Sequence, residues 1–218
     1  MAIIVAVATC KKIVMASNAR HPDLVVINGD LLDAAVALHR NVLEPLAGFD
    51  APVYYTGGNH EKYINEQLSE ALISSAGVSV LRNNIAIMHG IQLVGLRYMK
   101  ADEETLDLHP SDEKDTIKSV VNKLKLYADL PAIFVHHSPV GVKYMSEKGA
   151  DLVLSGHTHA GQFFPGTLLT PLFFAFNRGL SHYNNTQVLV SQGAGTYMAP
   201  LRLGSRNEIN LIHLVPDI

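Results

Sequence analysis

Cysteine is almost missing from this chain. Cys10 stands alone, which excludes an internal disulfide and a Cys-based zinc cluster and suits a reducing compartment. Cys10 is expected simply to pack. Tryptophan is absent, and no stretch reaches the roughly 18 consecutive apolar residues that a membrane span needs. The best candidate, Leu168 to Phe176, is interrupted by Thr170 and Pro171, so the chain as given is expected to be soluble. Residues 1–9 are apolar but lack the basic start of a secretion signal, and Lys11-Lys12 follows where it should precede, so no cleaved leader is read there. Neither sign of charge dominates: 17 Lys and Arg against 20 Asp and Glu give a net charge of −3. That balance argues against a nucleic-acid binder, and a 48% hydrophobic content argues against a disordered chain.

Histidine, by contrast, is plentiful, with 11 among 218 residues, and the length suits one α/β domain spanning 1–218. Gly156-His157-Thr158-His159 follows the apolar run Leu152-Val153-Leu154. If the chain stays extended there, both imidazoles leave one face and can grip metal. Taken alone, an H-x-H is a weak motif.

The rest of the chain supplies its company. Residues 1–20 fit either a buried strand or a helical stripe through Ile3, Val7, Cys10 and Val14, with Lys11 to Arg20 read as helix. The run Leu24-Val25-Val26-Ile27 reads as a strand buried on both faces and ends in Asn28-Gly29-Asp30. A helix over Ala34–Leu46 precedes the strand Pro52–Tyr55, which ends at Thr56-Gly57-Gly58-Asn59-His60. A helix over Glu61–Ser74 leads to an antiparallel meander of Val78–Leu81, Ile85–Met88 and Ile91–Leu96. Lys100–Glu113 reads as an acidic surface loop, and Asp115–Tyr127 as a helix. The strand Ala132–Val135 runs into His136-His137-Ser138-Pro139, and a helix to Gly149 leads to the H-x-H. Gly161–Tyr183 reads as loop, and Gln187–Ser191 and Ile209–Leu214 as closing strands.

Four apolar strands thus end in Asp30, in Asn59 with His60, in His136 with His137, and in His157 with His159. Ligands of open α/β sheets bind outside the carboxyl ends of strands, so these groups can converge. Nitrogen donors with one carboxylate and one amide oxygen suit Zn, Mn, Fe or Co better than Ca or Mg.

The series Gly29-Asp30 with Asp33, Gly58-Asn59-His60-Glu61, His137-x-Pro139 and Gly156-His157-Thr158-His159 resembles the calcineurin-like metallophosphoesterase family. The tail from Gln192-Gly193 to Glu208-Ile209 is similar to its bacterial and archaeal branch, whose members often carry an N-terminal membrane anchor. The resemblance implies a four-layer α/β/β/α sandwich and hydrolysis of a phosphate mono- or diester at a two-metal site by a metal-bridging hydroxide. It further implies that Asp30 bridges the ions, that Asn59, His137 and His157 hold one, that His159 helps hold the other, and that His60 faces the substrate. His137 is preferred to His136 because the family's ligand is followed by one residue and a proline. Asp33 is read as a helix-starting carboxylate.

One motif of that family is missing. Its Asp-x-His at the end of a first strand supplies two ligands of one metal, yet residues 1–22 contain no carboxylate and only His21. A strand, a helix and their connections need roughly 20 residues before Pro22, so the expectation is a missing N-terminal strand, with degeneration of the motif as the alternative. Either way one metal position is left with His159 and the shared Asp30. The other histidines, His21, His39, His89, His109, His182 and His213, are expected to be packed or solvated, and Arg202 and Arg206 to be exposed and unspecific. The substrate is expected to be a phosphate ester; the apolar run from Leu168 to Phe176 could meet a lipid-linked one, although core packing explains that run more simply. No nucleic-acid partner is expected, and membrane association only through an absent anchor, with the chain at or facing the cytoplasm. Two rivals stand beside this reading: a catalytically impaired metal- or protein-binding module, and a mononuclear zinc hydrolase, against which Asn59 argues as a poor zinc ligand.

Overall fold

The computed structural model describes residues 2–33, 38, 40–102, 114–197 and 199–215. The ambiguity at the start resolves to one helix, α1 (Ala2–Asn18). The strand β1 (Val25–Asn28) follows, then α2 (Arg40–Leu43) and a short 3-10 helix over Glu44–Gly48. Next come β2 (Val53–Thr56), α3 (Asn59–Ser75) and β3 (Ser79–Val80). The second half runs β4 (Asn84–Met88), β5 (Ile91–Gly95), α4 (Ile117–Lys123), β6 (Ala132–Val135), α5 (Val142–Lys148) and β7 (Leu152–Ser155). A 3-10 turn at His159–Gly161, α6 (Gly166–Phe173), β8 (Gly179–Tyr183) and β9 (Thr186–Val190) complete the order.

The strands form two sheets, β1-β2-β3 and β4-β5-β6-β7-β9-β8. The first is parallel; in the second, β5, β6, β7 and β9 are parallel and the edge strands β4 and β8 antiparallel. Alternation along the strands sorts the side chains into layers. Val53 and Tyr55 of β2 meet Val42, Leu43, Leu46 and Ile73 under α2 and α3, whereas Tyr54 between them turns toward the other sheet. On β6, Ile133 and Val135 face the intersheet core with Leu81, Leu93 and Leu152, and Phe134 faces Ile117, Val121, Val142 and Met145 of α4 and α5. Three apolar cores between four layers make this the α/β/β/α sandwich. Each fully buried Val, Leu, Ile or Phe contributes about 1.5–3 kcal/mol, so the frame that carries the strand ends is stiff.

Several expectations are corrected. The meander is a single hairpin of β4 and β5, because β3 leaves it to pair with β2 in the other sheet. Gly161–Tyr183 is not all loop: it holds α6 and β8. Ile209–Leu214 forms no strand, and its residues are exposed. The apolar run is not core: no residue of α6 is buried, and Leu168, Leu172 and Phe173 are 64%, 78% and 60% exposed. Much of the expected Ala34–Leu46 helix and most of the Lys100–Glu113 loop, with His39 and His109, lie outside the described residues. Cys10 is buried, as expected. No described helix is long and apolar enough to cross a membrane.

Candidate metal centre

The carboxyl ends of β1, β2, β6 and β7 meet where the two sheets touch. Asn28, the last residue of β1, fastens them there: its Nδ2 donates to the carbonyls of His136 (3.3 Å) and Leu154 (3.0 Å) on the opposite sheet. Just beyond it, Asp30, His137 and His157 each offer a ligand atom, all within 4.8 Å of one another. His137 Nε2 lies 3.0 Å from Asp30 Oδ2 and 3.2 Å from His157 Nδ1. His137 Nδ1 lies 2.7 Å from the Asn28 carbonyl, the partner that fixes this ring and leaves Nε2 facing the group. Tyr98, 1% exposed, packs its ring 6.2 Å from that of His137 and 6.1 Å from that of His157.

The backbone is bent to make this cluster. Asp30, His157 and His159 have φ of 52°, 68° and 48°, left-handed conformations that cost of order 1–3 kcal/mol each and collect at functional sites. The chain therefore does not stay extended through the H-x-H, and the shared-face expectation fails: His157 turns to the cluster and His159 elsewhere. Glycines leave room for the bend. A Cβ on Gly29 would come within 2.6 Å of His137 Nδ1, and one on Gly58 within 2.5 Å of the Asp30 nitrogen.

Electrostatics agree with a cation site. Burial pushes Asp30 up, yet His137 and His60 hold its carboxyl well below the usual range. Burial pulls His137 down, but Asp30 and the Asn28 carbonyl outweigh it and raise its pKa. Asp30 and His137 thus stabilise each other's charged forms, and the spot between them favours positive charge. Asn59, at the start of α3, is 2% exposed, and its Oδ1 is buried with no hydrogen-bond partner. Orphaned buried acceptors are uncommon and point to an ion or water. This orphan, the glycine cradle and the N and O donor set all fit a divalent transition metal.

The neighbouring histidines divide cleanly. His136 is fully buried, stacked on Tyr98, with Nδ1 2.7 Å from the Ser138 carbonyl and Nε2 3.4 Å from the Met99 N–H. Both of its nitrogens are engaged, and burial lowers its pKa to about 4. His159 lies outside the group of three: Arg202 Nη2 is 3.1 Å from its Nδ1, and burial followed by that guanidinium lowers its pKa to about 4. His60 donates its backbone N–H to Asp30 Oδ1 at 3.0 Å, and its ring Nε2 is 3.7 Å from Asp30 Oδ2. Its Nδ1 is 2.6 Å from Asp33 Oδ1, the contact that chiefly raises its pKa.

Four residues do more than their sequence positions foretold. Glu61, 0% exposed, accepts N–H bonds from Asp30, Leu32 and Gly58 at 2.8–3.0 Å and so pins the loop that carries Asp30. Burial and the Asp30 charge push its pKa up. A Glu three residues after Gly58 at a helix start is a capping-box signal that could have found it. Asp33 orients His60. Arg202 is not idle: it donates to the carbonyls of His159, Gln192 and Gly195, tying the loop after β9 to the turn after β7. Tyr98 carried no signal.

Comparison with known proteins agrees with this geometry. Residues 6–161 match the calcineurin-like phosphoesterase family. An uncharacterized metallophosphoesterase of Helicobacter pylori J99 is 34% identical over 203 residues, covering 91% of this chain and 53% of that protein. A transmembrane protein with metallophosphoesterase domain from Danio rerio is 34% identical over 217 residues, covering 94% of this chain and 48% of that protein. The chain thus spans about half the length of these relatives; an uncharacterized metallophosphoesterase of Aquifex aeolicus, 30% identical, is covered to 72%. Among solved structures, the Thermus thermophilus sulfate thiohydrolase SoxB in complex with glycerol superposes with a TM-score of 0.51 at 16% identity, over 85% of this chain and 38% of that one. At that identity the likeness concerns the fold.

Proposed function

The chain belongs to the calcineurin-like phosphoesterase family, and we propose that it hydrolyses a phosphate mono- or diester at the site built on Asp30, His137 and His157. The observation that carries this reading is the convergence of those three side chains, and the buried, unpartnered Oδ1 of Asn59, next in sequence to the Gly58 that packs against Asp30, adds to it. Asp30, Asn59, His137 and His157 would hold one Mn, Zn, Fe or Co ion, and Asp30 with His159 would hold a second. Bound there, such ions supply Lewis acidity toward phosphoryl oxygens and lower the pKa of the attacking water.

The chain's own groups do the rest. The Asp33 carboxylate beside Nδ1 raises the His60 pKa and so favours its protonated ring, which suits His60 as the general acid for the departing alcohol or as a hydrogen-bond donor to a phosphoryl oxygen. Tyr98 and Glu61 keep the histidine rings and the Asp30 loop from moving. Phe174, 5.7 Å from the His157 ring, gives the site an apolar rim that suits a lipid-linked ester.

A second reading, an impaired module that binds metal without efficient turnover, is favoured by one observation. Among the described residues His159, the ligand expected at the second position, lies outside the group of three and is engaged by Arg202. Titrating Mn or Zn into the metal-free chain while following a bis-aryl phosphodiester tests both. One tight equivalent, a weak second and slow turnover that rises with the second are expected, and His137→Ala and His157→Ala should each abolish the tight equivalent with the circular dichroism unchanged. Unaltered metal content in both variants would overturn the ligand assignment. Metal binding without any turnover would leave the impaired module.

A further inference from the structure

The surface beside the site is unusually apolar. Leu168, Leu169, Leu172 and Phe173 of α6 are 50–78% exposed, and Phe164, Leu201 and Leu203 are about 60% exposed. They form one patch, because Phe163 bridges Leu203, the Phe164 N–H donates to the Leu203 carbonyl at 2.9 Å, and Gly204 lies against Thr167. Large contiguous apolar patches on soluble surfaces mark interaction sites.

We propose that this patch docks on an anionic phospholipid bilayer and holds the metal site at the lipid–water boundary. Charge argues for that occupant. From Leu152 to Asn207 the sequence has no Asp or Glu at all, and its only charged residues are Arg178, Arg202 and Arg206. Arg202 is committed to the carbonyls of the site loops, whereas Arg178 and Arg206 form no ion pair among the described residues. An uncharged prominence with arginines at its margin is the pattern that inserts between lipid headgroups, the apolar side chains reaching the acyl boundary and the cations meeting phosphate.

Continuity with the site gives the docking a consequence. At the end of α6, Phe174 packs on His157, and Asn177, just before Arg178, accepts a hydrogen bond from Thr158 Oγ1. On the other flank, Gln162 holds the backbone of Tyr197, whose ring lies 5.2 Å from that of His60. A bilayer touching α6 therefore stands at the mouth of the cluster. The docking goes beyond the hydrolytic reading.

The test is co-sedimentation of the full chain with vesicles of phosphatidylcholine alone and of an equal mixture with phosphatidylglycerol. Binding to the anionic vesicles that weakens as salt is raised is expected. Leu168→Asp/Leu172→Asp should lower the partition at least about tenfold, and Arg178→Gln/Arg206→Gln should erase most of the preference for the anionic mixture. Both substitutions lie on exposed side chains, so folding should persist, checked by circular dichroism. No binding to either vesicle, or equal binding by the Asp double variant, would overturn the proposal. So would a wild-type dimer in sedimentation that Leu172→Asp dissociates, which would make the occupant a second copy. Turnover of a soluble aryl phosphodiester on the same samples reads the hydrolytic proposal separately, since neither result depends on the other.

Discussion

Replacing Gly58 by alanine should disable the site through a single methyl group. Gly58 is extended, with φ −101° and ψ −177°, so alanine can adopt its backbone and no conformational strain intervenes. The added Cβ, however, would overlap Asp30 Oδ1 and stand 2.5 Å from the Asp30 nitrogen, closer than real Cβ atoms come to anything. The carboxylate must retreat by about 1 Å to regain ordinary contact. In doing so it gives up the bond from the His60 N–H, worth about 1.5–3 kcal/mol as a hydrogen bond to a charge. Overpacking adds about 1–3 kcal/mol, so a loss of roughly 2.5–6 kcal/mol is expected. Disturbing the groups that orient a ligand weakens metal binding by about 10–100-fold, and a displacement of this size costs about 10²-fold in rate. Chemical denaturation, metal content after dialysis and aryl-ester turnover measure the three effects. Gly48→Ala is the control, since its Cβ would meet only Val14 at 3.5 Å, an ordinary contact. Wild-type metal affinity and turnover in Gly58→Ala would refute the geometry, and equal damage from Gly48→Ala would reduce the effect to generic destabilisation.

His60→Ala should keep its metal and lose about 10²–10⁴-fold in turnover, most for esters with poor leaving groups; an equal loss across a series of leaving-group pKa values would make His60 a positioning residue instead. His136 gives a pH prediction. Its folded pKa is about 4 against an ordinary 6.5, so the unfolded ring takes up a proton below pH 6.5 that the folded ring refuses. The stability tied to its neutral form is complete above pH 6.5 and is lost as the pH falls toward 4, roughly 3 kcal/mol in all. Urea unfolding of the metal-free chain and of His136→Phe should show the wild type losing roughly 2–3 kcal/mol relative to the variant from pH 7 to 4.5, and parallel profiles would contradict this.

The strand ends were legible because each combines a short β-branched run with an abrupt polar stop: Val25–Ile27 before Asn28-Gly29-Asp30, and Ala132–Val135 before the histidines. What failed was information that a short window does not hold. Val78–Leu81 reads as a strand but says nothing about its partner, and β3 crosses to the other sheet. Leu168 to Phe176 has no polar face to announce a helix, contains Pro171, and was taken for core on composition although α6 is exposed. Ile209–Leu214 has strand-like composition, yet local propensity does not form a strand without a neighbour to pair with. In the site, Asp30, His137 and His157 were readable from position, and the choice of His137 over His136 agrees with which ring lies beside Asp30. The role of Arg202 is not legible because exposure cannot be read from one residue, and the turn at His157 is not legible because positive φ is uncommon for any non-glycine residue even though histidine is among those that adopt it.

That turn explains why the residues around the site matter as much as those in it. Three left-handed residues, Asp30, His157 and His159, would relax if nothing held them, since each sits of order 1–3 kcal/mol above an ordinary conformation. Each is held by a different fastener. Glu61 accepts from the N–H groups of Asp30, Leu32 and Gly58. The Gly156 N–H donates to the His137 carbonyl at 2.8 Å, and Thr158 reaches Asn177, so His157 is fixed to β6 on one side and to the end of α6 on the other. Arg202 holds the carbonyl of His159. The strain therefore falls on residues in or next to the cluster, and the hydrogen bonds that offset it come from Glu61, Thr158 and Arg202 together with the His137 carbonyl. A site built this way is organised by the chain itself, with Asp30 and His137 already in contact at 3.0 Å. Coordination and positioning can then be lost separately: removing His137 or His157 takes away a ligand from an intact frame, whereas crowding Gly58 leaves every ligand present and moves the frame.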